Sequence, residues 1–466
     1  MADINLGVGG ANSATGGYDI ANSLKLESDN TERVNKPAGT ISGAGNRRTF
    51  TISFWTKRTE INGVKQYLFE AGNSDSNTDR FTLRFGTGDT FDIQSQSTWL
   101  VTNRVFRDTS AWYHFVIKVD TTDGTASNRI KLYVNGVEET SFATDNRASI
   151  NQNHDFPVNN TEPHNIGSSP IEGGFYYNGY IAEWVQIDGQ QLAPTEFGEF
   201  DEDTGIWKPI DVSGLSFGTN GFYLDFKDAS NLGNDASGGT DFTLNNITSA
   251  DQATDTPTNN FCTLNQVMLT QANTVISQGA TSLFSTGASG NTVVGTIGVS
   301  RGKWYWEFKH IGTGGTAYWS AIGYTSSEST DSTQTAGGGS GYPSHVALLP
   351  NGGTYSNGTI FSYKFNTFLA NDIAGVALDM DNGDMYLYKN GTIQNSGNPI
   401  FTSIGDFAMP VGSVYLNGCG GYFNFGGFTS YTPASPATDE NGYGTFEYAP
   451  PSGYYALCTK NLAEYG

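Results

Sequence analysis

The stretch Ile130-Lys131-Leu132-Tyr133-Val134-Asn135-Gly136-Val137-Glu138 is two short strands joined by Asn-Gly. Both central residues of a type I′ hairpin need positive φ, which Asn and Gly adopt most readily. A near copy, Met385-Tyr386-Leu387-Tyr388-Lys389-Asn390-Gly391-Thr392-Ile393, follows later, and an apolar strand and an acidic turn precede each copy. The repeated order of strand, turn, strand, Asn-Gly and strand predicts two β-sandwiches, each built around such a meander.

The composition is typical of short strands and tight turns. Of the 466 residues, 59 are Gly, 13% are aromatic and 37% are hydrophobic. Aromatic side chains fill the cores of such domains, and glycines supply the turns between strands. The sequence has no long runs of Ala, Glu, Lys and Leu, which long helices would need. Length and composition therefore predict an all-β chain of two or three domains.

The formal net charge of −22 argues against nucleic acid as a partner, because phosphate neutralisation needs clustered Lys and Arg. It argues equally against docking on anionic lipid. Two explanations of the charge stay open. The first is solubility with mutual repulsion, and the second is metal coordination by some acidic loops.

Cysteine usage and the first residues indicate where the chain is made. Cys262, Cys419 and Cys458 are too few for a disulfide scaffold. The start, Met1–Asn5, has neither the basic nor the apolar region of a signal peptide. No run approaches the roughly 20 apolar residues that span a bilayer. We therefore expect synthesis in the cytosol and no membrane insertion.

Residues 21–194 carry the first set of strand signals. Residues 50–56 alternate with period two, so that Phe50, Ile52 and Phe54 face one side. The ordered motifs FTISFW (50–55), WYHF (112–115), LYVNG (132–136) and GYIAEW (179–184) resemble a laminin-G or concanavalin A-like jelly roll. This fold hosts lectins, enzymes and inert spacers alike. Residues 1–20 before it are predicted to be an arm, either flexible or docked on a partner.

Residues 195–261 are acidic and rich in Asn, Asp, Thr and Gly, which predicts an irregular connector. Its end, NNFCTLN (259–265), and the end of the tail 431–466, GYYALCTKNL (453–462), resemble segments of tailed-bacteriophage structural proteins. LCT (457–459) also echoes FCT (261–263). These two segments either pair with each other or bury two thiols without contact.

Residues 262–430 predict the second sandwich. GKWYWEF (302–308) alternates, with Trp304, Trp306 and Phe308 on one face, and we expect residues 320–324 to pair with this strand. The ordered motifs GKWYWE, IGY, ALDMDNG, LYKNG and NFG, all within 302–426, resemble a SPRY domain. That resemblance implies a sandwich that binds proteins or other ligands without catalysis. The predicted fold is thus two antiparallel β-sandwiches joined by a connector.

The sequence offers no convincing catalytic group. Jelly-roll glucanases place two carboxylates on one strand, but the nearest candidate, Glu199–Asp203, lies in a predicted turn and has the wrong spacing. No two of the five histidines lie at ligand spacing and none neighbours a cysteine, which argues against zinc. We therefore predict that the chain is not an enzyme.

The candidate binding residues lie in loops. Tyr318, Trp319 and Tyr342 combine aromatic rings with small neighbours, which suits stacking on a sugar or a partner side chain, although core packing explains the rings equally well. The laminin-G resemblance implies a Ca²⁺ site, and the loop carboxylates that would form it are Asp75, Asp79, Asp120 and Asp123. Ordinary solvated turns are the alternative for these four residues.

These features lead to one functional hypothesis. The resemblances imply a virion protein of a tailed bacteriophage, with other virion proteins as partners. We expect a tail-fibre or tail-tip adhesin that recognises a host-surface glycan or protein, in homotrimeric copies that turn weak sites into avidity. A capsid decoration or head-fibre protein is the second hypothesis, and a glycan-degrading enzyme is the third.

Overall fold

The computed structural model describes residues 17–41, 43–74, 80–95, 97–268, 273–287, 291–311, 320–325, 345–348, 350–356, 359–414 and 417–466. The chain divides into an N-terminal unit, Ala14–Thr258, and a C-terminal unit that includes Asn259–Gly466. The predicted fold class is confirmed, since the chain is almost all β with antiparallel sheets in both units. Among the described residues, no helix has the length and apolar character needed to cross a membrane.

The strands of the N-terminal unit are short, and most are joined by turns. In chain order they are β1 (Ser23–Leu26), β2 (Arg33–Lys36), β3 (Thr49–Arg58), β4 (Gln66–Gly72), β5 (Arg80–Phe85), β6 (Thr90–Gln94), β7 (Thr98–Val105), β8 (Tyr113–Asp120), β9 (Ile130–Val134), β10 (Val137–Glu138), β11 (Phe142–Asp145), β12 (His164–Ile166), β13 (Ser168–Ser169), β14 (Phe175–Tyr176), β15 (Gly179–Asp188), β16 (Gly198–Phe200), β17 (Trp207–Pro209), β18 (Phe222–Leu224), β19 (Thr243–Asn245) and β20 (Gln252–Ala253).

Two eight-stranded sheets form this sandwich. One has the order β10-β9-β8-β3-β15-β1-β20, with β18 also on β15, and the other has the order β11-β7-β6-β5-β4-β12-β2-β19. The inward residues of β3 are Phe50, Ile52 and Phe54, as the alternation predicts, and all three lie in the core. The indole of Trp184 stacks on Phe54 with ring centroids 4.4 Å apart. Burial of each such ring stabilises the sandwich by about 2 kcal/mol.

The outer face of the β3-containing sheet is also buried. Residues from 190 to 258, most of which the sequence analysis assigns to a connector, run over it and add β18 and β20 to this sheet and β19 to the other. Phe197, Val212 and Tyr223 form a second apolar cluster with Val116 and Val185 of the sheet. The segment therefore completes the unit, because a central strand with apolar groups on both faces needs cover on both.

The C-terminal unit is a second sandwich with a short terminal helix. Its elements are β21 (Thr274–Ser277), β22 (Ser282–Ser285), β23 (Asn291–Val294), β24 (Lys303–His310), β25 (Ser320–Thr325), β26 (His345–Leu348), β27 (Gly353–Ser356), β28 (Thr359–Tyr363), β29 (Ile373–Asp379), β30 (Asp384–Lys389), β31 (Thr392–Ile393), β32 (Phe401–Thr402), β33 (Met409–Val414), β34 (Gly420–Asn424), β35 (Tyr455–Ala456) and α1 (Thr459–Tyr465).

The described strands of this unit form two sheets. One has the order β21-β22-β34-β24-β29-β30-β31, with β32 and β35 at its side, and the other has the order β23-β33-β25-β26-β27-β28. Trp304, Trp306 and Phe308 of β24 share the core, as predicted. The expected pairing of residues 320–324 with this strand is wrong, because β25 lies in the other sheet between β26 and β33. Strands β24 and β25, which follow each other in the chain, therefore belong to opposite layers of the sandwich.

The tail covers the outer face of β24 through a buried carboxylate. Glu307 accepts hydrogen bonds from the backbone N–H groups of Glu447 (2.8 Å) and Tyr448 (2.9 Å) and from the hydroxyls of Tyr305 and Tyr431 (both 3.1 Å). Burial raises the pKa of Glu307, and the hydrogen bonds from the tail oppose that rise. The tail also supplies apolar cover, since Phe446 packs edge-on against the Tyr305 ring at 5.2 Å.

The two Cys-Thr segments meet at the base of the C-terminal unit. Phe261 and Cys458 form an antiparallel bridge, and the Cys262 N–H donates to the Leu457 carbonyl at 2.9 Å. The structure therefore shows the pairing, which is one of the two arrangements that the sequence leaves open, and Cys262 and Cys458 are both buried without a disulfide bond.

The repeated Asn-Gly hairpin has the same geometry in both units. Asn135 and Asn390 both have φ of 48°, and Gly136 and Gly391 have φ of 78° and 75°. Each Asn side-chain oxygen accepts a hydrogen bond of 2.8 Å from a backbone N–H, that of His114 or Ile373, at the start of the preceding strand. An aromatic ring covers each glycine. The ring is Trp207 in the first unit and Tyr448 in the second.

We expect Gly136→Ala and Gly391→Ala each to lower the free energy of unfolding of their unit by roughly 2–4 kcal/mol. Alanine would have to adopt the positive φ of the glycine that it replaces, and its methyl group would collide with the covering ring. Gly63 has φ of 71° and nothing within 4 Å of a built Cβ, so Gly63→Ala isolates the backbone cost of about 1 kcal/mol. Urea unfolding of the three variants would measure this. Equal losses in Gly63→Ala and Gly136→Ala would contradict a role for the covering ring.

Candidate functional site

Most of the residues predicted to bind a ligand or Ca²⁺ lie outside the described part of the chain. Tyr318, Trp319 and Tyr342 lie outside the described residues, as do Asp75 and Asp79 of the predicted Ca²⁺ set. Their roles stay predictions.

Asp120 and Asp123 lie in the turn after β8 and stabilise that turn. Asp120 accepts hydrogen bonds from the Thr122 N–H (3.0 Å) and hydroxyl (2.6 Å), and Asp123 accepts one from the Thr125 N–H at 2.7 Å. Within the described ranges, no group of three or more His, Cys, Asp and Glu side chains is placed to share a metal ion. These two carboxylates therefore stabilise their turn, and the Ca²⁺ site of Asp75, Asp79, Asp120 and Asp123 stays a prediction.

A dense set of charges lies on the outward face of β4, β5 and β6. Inward residues of these strands, such as Phe81 and Leu83, fill the core. Alternate residues therefore point outward. We call the outward set, together with two neighbours from adjoining loops, the arginine cluster. Its members are Lys65, Tyr67, Glu70, Arg80, Arg84, Asp92 and Glu172.

Each arginine of the cluster is held between acidic and phenolic partners. Arg80 contacts Glu70 at 3.2 Å and Glu172 at 2.8 Å. Arg84 contacts Asp92 at 3.2 Å and donates to the Tyr67 hydroxyl at 2.5 Å. Both guanidinium groups also lie over the Tyr67 ring, 5.7 Å and 5.3 Å from its centroid. These contacts fix the fork of each arginine in one orientation.

A small hairpin places Glu172 over this face. Strands β13 and β14 pair, and the turn between them contains Gly173 and Gly174, which have φ of 87° and 83°. The Glu172 N–H donates to the Ser169 hydroxyl at 3.2 Å. On the same hairpin, the Phe175 ring stacks near Tyr67 with centroids 6.1 Å apart.

The electrostatic environment shifts the pKa values of two carboxyl groups in the arginine cluster in opposite directions. Burial raises the pKa of Glu70. Burial opposes ionisation of Glu172 too, but hydrogen bonds from Tyr67, Arg80 and Lys65 dominate and lower its pKa to about 2. Burial, together with Glu172, raises the pKa of Tyr67 to about 12. Glu172 is therefore a permanent anion near neutral pH, held by cations.

Exposure increases across the arginine cluster. The side chain of Arg80 is 1% exposed, that of Glu172 is 22% exposed and that of Lys65 is 33% exposed. Phe175 is half-buried beside them, with its ring centroid 5.6 Å from the Lys65 ammonium. Fixed charges next to partly exposed aromatic rings suit a ligand that has both polar groups and a flat apolar face. The exposed edge, Lys65, Glu172 and Phe175, is our candidate binding surface.

Sequence reasoning missed this cluster. The alternation in RFTLRF (80–85) places Arg80 and Arg84 on one face, and that is the one signal in the sequence. Their partners Tyr67, Asp92 and Glu172 come from other strands and from a loop 92 residues from Arg80. Only the folded sheet brings them together.

A second perturbed carboxyl group, Glu183, lies on β15 in the N-terminal unit. It has φ of 50° where the pairing of β15 with β3 shifts register. Its carboxylate accepts hydrogen bonds from the hydroxyls of Tyr223 and Tyr18. Burial raises the pKa of Glu183 to about 7, although Tyr223 and Lys227 oppose the rise. Glu183 is only 4% exposed and fastens Tyr18 to the sheet, so its role is structural.

Comparison with known proteins supports the fold of the N-terminal unit. The family model Laminin_G_3, described as the concanavalin A-like lectin/glucanases superfamily, matches residues 29–196. No curated protein matches the chain. The predicted lectin-like jelly roll is confirmed by the family match, which includes the strands and the hairpin that form the arginine cluster.

Solved structures similar to parts of the chain include two SPRY domains and a pentraxin. The SPRY domain of human HERC1 is 16% identical, with 32% of this chain and 89% of that chain covered and a TM-score of 0.28. The heptameric SAP-like pentraxin from Limulus polyphemus is 17% identical, with 38% and 80% covered and a TM-score of 0.28. The TRIM65 PSpry domain is 14% identical, with 35% and 91% covered and a TM-score of 0.27.

We expect Arg80→Met and Lys65→Met to differ sharply in stability. Arg80→Met leaves Glu70 buried without its cation, which costs roughly 3 kcal/mol. Lys65→Met removes a partly exposed pair and costs at most about 1 kcal/mol. Urea unfolding at pH 7 would measure both values. Similar losses of unfolding free energy for the two variants would contradict the division of the cluster into a buried part and an exposed edge.

The pKa of Glu183 predicts a pH-dependent stability of the N-terminal unit. The folded state keeps this proton up to about pH 7, whereas the ordinary value is 4.5, so the contribution is present below pH 4.5 and lost as the pH rises to 7. We expect the stability of the wild type relative to Glu183→Gln to rise by roughly 3 kcal/mol between pH 8 and pH 4.5. Urea unfolding across this range would test it. The stability difference between wild type and the exposed control Glu196→Gln should not follow this trend. A constant difference between wild type and Glu183→Gln across the pH range would refute the assignment.

Proposed function

We propose that this chain is a non-catalytic binding protein that recognises a host-surface glycan or protein through its N-terminal jelly roll. The observation that carries the proposal is the arginine cluster and its exposed edge on a lectin-like sandwich. The fold alone does not assign a ligand, because it hosts both lectins and glucanases. The proposal therefore depends on the side chains of that edge.

The carboxylates of the cluster favour binding over hydrolysis. A glycosidase needs one carboxyl group that is protonated at working pH and a second that is free to act on the sugar. Glu172 is a poor proton donor because its pKa is about 2. Glu70 is fully buried, and Asp92 is held by Arg84 and the Thr90 hydroxyl. Glu199 and Asp201 of the sequence candidate both pair with Lys208.

The biological setting we propose is the virion of a tailed bacteriophage, with the chain in a tail fibre or tail tip. The support is the resemblance of residues 259–265 and 453–462 to segments of phage structural proteins. In this setting homotrimeric copies and attachment to other virion proteins would multiply weak sites into avidity. Antibody labelling of tail tips in electron micrographs of the phage would support this setting, and labelling of the capsid would favour a decoration protein instead.

Binding to host cells tests the proposed function. We expect the purified chain to bind host cells or their surface glycans, and Lys65→Ala combined with Phe175→Ala to weaken that binding at least tenfold, because both side chains belong to the exposed edge. The matched control is Lys131→Ala, which removes a similarly exposed ion pair with Glu138 on the other sheet. Flow cytometry with labelled protein, with and without Ca²⁺, would measure it.

Two outcomes would contradict the proposal. Unchanged binding by the double variant would place the ligand elsewhere in the chain, for example at the predicted loops that carry Tyr318 and Tyr342. Release of new reducing ends from host polysaccharide by the purified chain would show catalysis. A requirement for Ca²⁺ would support the predicted site of Asp75, Asp79, Asp120 and Asp123.

A further inference from the structure

We propose that Lys65, Arg80 and Arg84 form a site for the carboxylate of an acidic sugar, and that the chain's own Glu172 occupies this site in the free protein. The inference deepens the proposed function and rests on it, since it names the chemical class of the glycan. It requires that the Glu172 carboxylate can be displaced and that the vacated site suits a sugar acid.

The contacts of Glu172 are those expected of a bound carboxylate ligand. One oxygen lies 2.8 Å from an Arg80 nitrogen. The other lies 3.1 Å from the Lys65 ammonium and 3.8 Å from an Arg84 nitrogen. A planar carboxylate held by two guanidinium groups and an ammonium is the arrangement by which proteins recognise carboxylate ligands. Here one loop of the protein supplies the carboxylate to cations of β5 and of the β3–β4 loop.

The charges of the cluster balance only when Glu172 is in place. Three cations, Lys65, Arg80 and Arg84, face three carboxylates. Two of these carboxylates are fixed, since Glu70 pairs with Arg80 and Asp92 pairs with Arg84. If the Glu172 side chain turned outward, the remaining groups would carry one net positive charge. The vacated site would therefore be one carboxylate short, which a singly charged sugar acid would restore.

The position of Glu172 allows its side chain to leave without unfolding the hairpin. The turn is held by other groups, because the Ile171 N–H donates to Glu70 at 3.2 Å and the Gly174 N–H donates to the Ser169 carbonyl at 2.8 Å. Rotation about the side-chain bonds of Glu172, which is already partly exposed, is enough to free the cations. The backbone of the turn keeps its hydrogen bonds throughout.

Competition by Glu172 predicts a weak wild-type site. An attached competitor has an effective concentration on the order of millimolar or above. An incoming carboxylate exchanges one set of ion pairs for an equivalent set, so it gains little from the cations alone. Removal of the competitor should therefore raise the affinity for an acidic ligand specifically. Many weak copies on one particle would compensate for the low affinity of each.

The surroundings favour a sugar over an acidic peptide. Phe175 is half-buried on the same hairpin as Glu172, and the Lys65 ammonium lies 5.6 Å from its ring centroid. Aromatic faces next to a fixed charge suit a pyranose ring, which has an apolar face and a carboxylate at its edge. A peptide carboxylate would use the charges but not the rings.

The test compares Glu172→Ala with Glu138→Ala in the full-length chain. Both variants remove one partly exposed, lysine-paired carboxylate and change the net charge equally. The probes are a glucuronic-acid-terminated oligosaccharide and its glucose-terminated counterpart, measured by calorimetry. We expect Glu172→Ala to bind the acidic probe at least tenfold more tightly than wild type and the neutral probe unchanged. Glu138→Ala should resemble wild type.

Additional variants separate charge from folding. Adding Arg84→Met to Glu172→Ala should abolish the gain, and raising the salt from 50 mM to 500 mM should reduce it. Glu172→Gln keeps the shape of the side chain and should give a smaller gain than Glu172→Ala. Thermal unfolding of each variant establishes that it is folded, and a misfolded Glu172→Ala would leave Glu172→Gln to decide the matter.

The outcomes distinguish this inference from the proposed function. If neither folded Glu172→Ala nor folded Glu172→Gln binds the acidic probe more tightly than wild type, the inference is overturned, even if the wild-type protein binds host cells. Equal tightening for an oligoglutamate peptide overturns the assignment to a sugar. Tightening for the acidic sugar without any wild-type binding to host cells would uphold the site and refute the proposed host-recognition role.

Discussion

Both units depend on cover for a central strand that is apolar on both faces. Strand β3 points Phe50, Ile52 and Phe54 into the core and Trp55 outward, where Trp55 stacks on His114 at 4.6 Å. Strand β24 has Trp306 in the core and Tyr305 outward. A two-layer sandwich would leave these outer rings in water. In each unit the chain that follows the sandwich folds back as a third layer, and its polar anchors are buried with it.

Those buried polar anchors explain why both units hold a third layer although their sequences differ. In the N-terminal unit the indole N–H of Trp207 donates to His114, whose other ring nitrogen contacts the Ser53 hydroxyl at 2.8 Å. Burial lowers the pKa of His114 to about 3, so the ring stays neutral and can accept. In the C-terminal unit Glu307 performs the equivalent task for the tail. A buried His114 or Glu307 without its hydrogen-bond partners would cost about 1–3 kcal/mol. The sheet and the third layer therefore depend on each other.

The sequence predicts local features well and distant ones poorly. Period-two alternation identified the core faces of β3 and β24, and Asn-Gly identified both hairpins, because each signal lies within about ten residues. The strands of residues 195–258 are two or three residues long, and β18, β19 and β20 pair with partners far away in the chain, as β19 does with β2. Such strands have no periodicity to read. The arginine cluster was missed for the same reason, since Glu172 reaches Arg80 through the fold.

The third layer also affects how the chain folds during its synthesis on a ribosome. The lectin family match ends at residue 196, yet the last strand that completes the first unit, β20, is Gln252–Ala253. During synthesis the nascent jelly roll would therefore wait, with its outer aromatic face uncovered, while more than fifty further residues emerge. Non-local closure of this kind is slow and exposes apolar surface. We therefore expect this face to remain open to non-native contacts until the covering segment has left the ribosome.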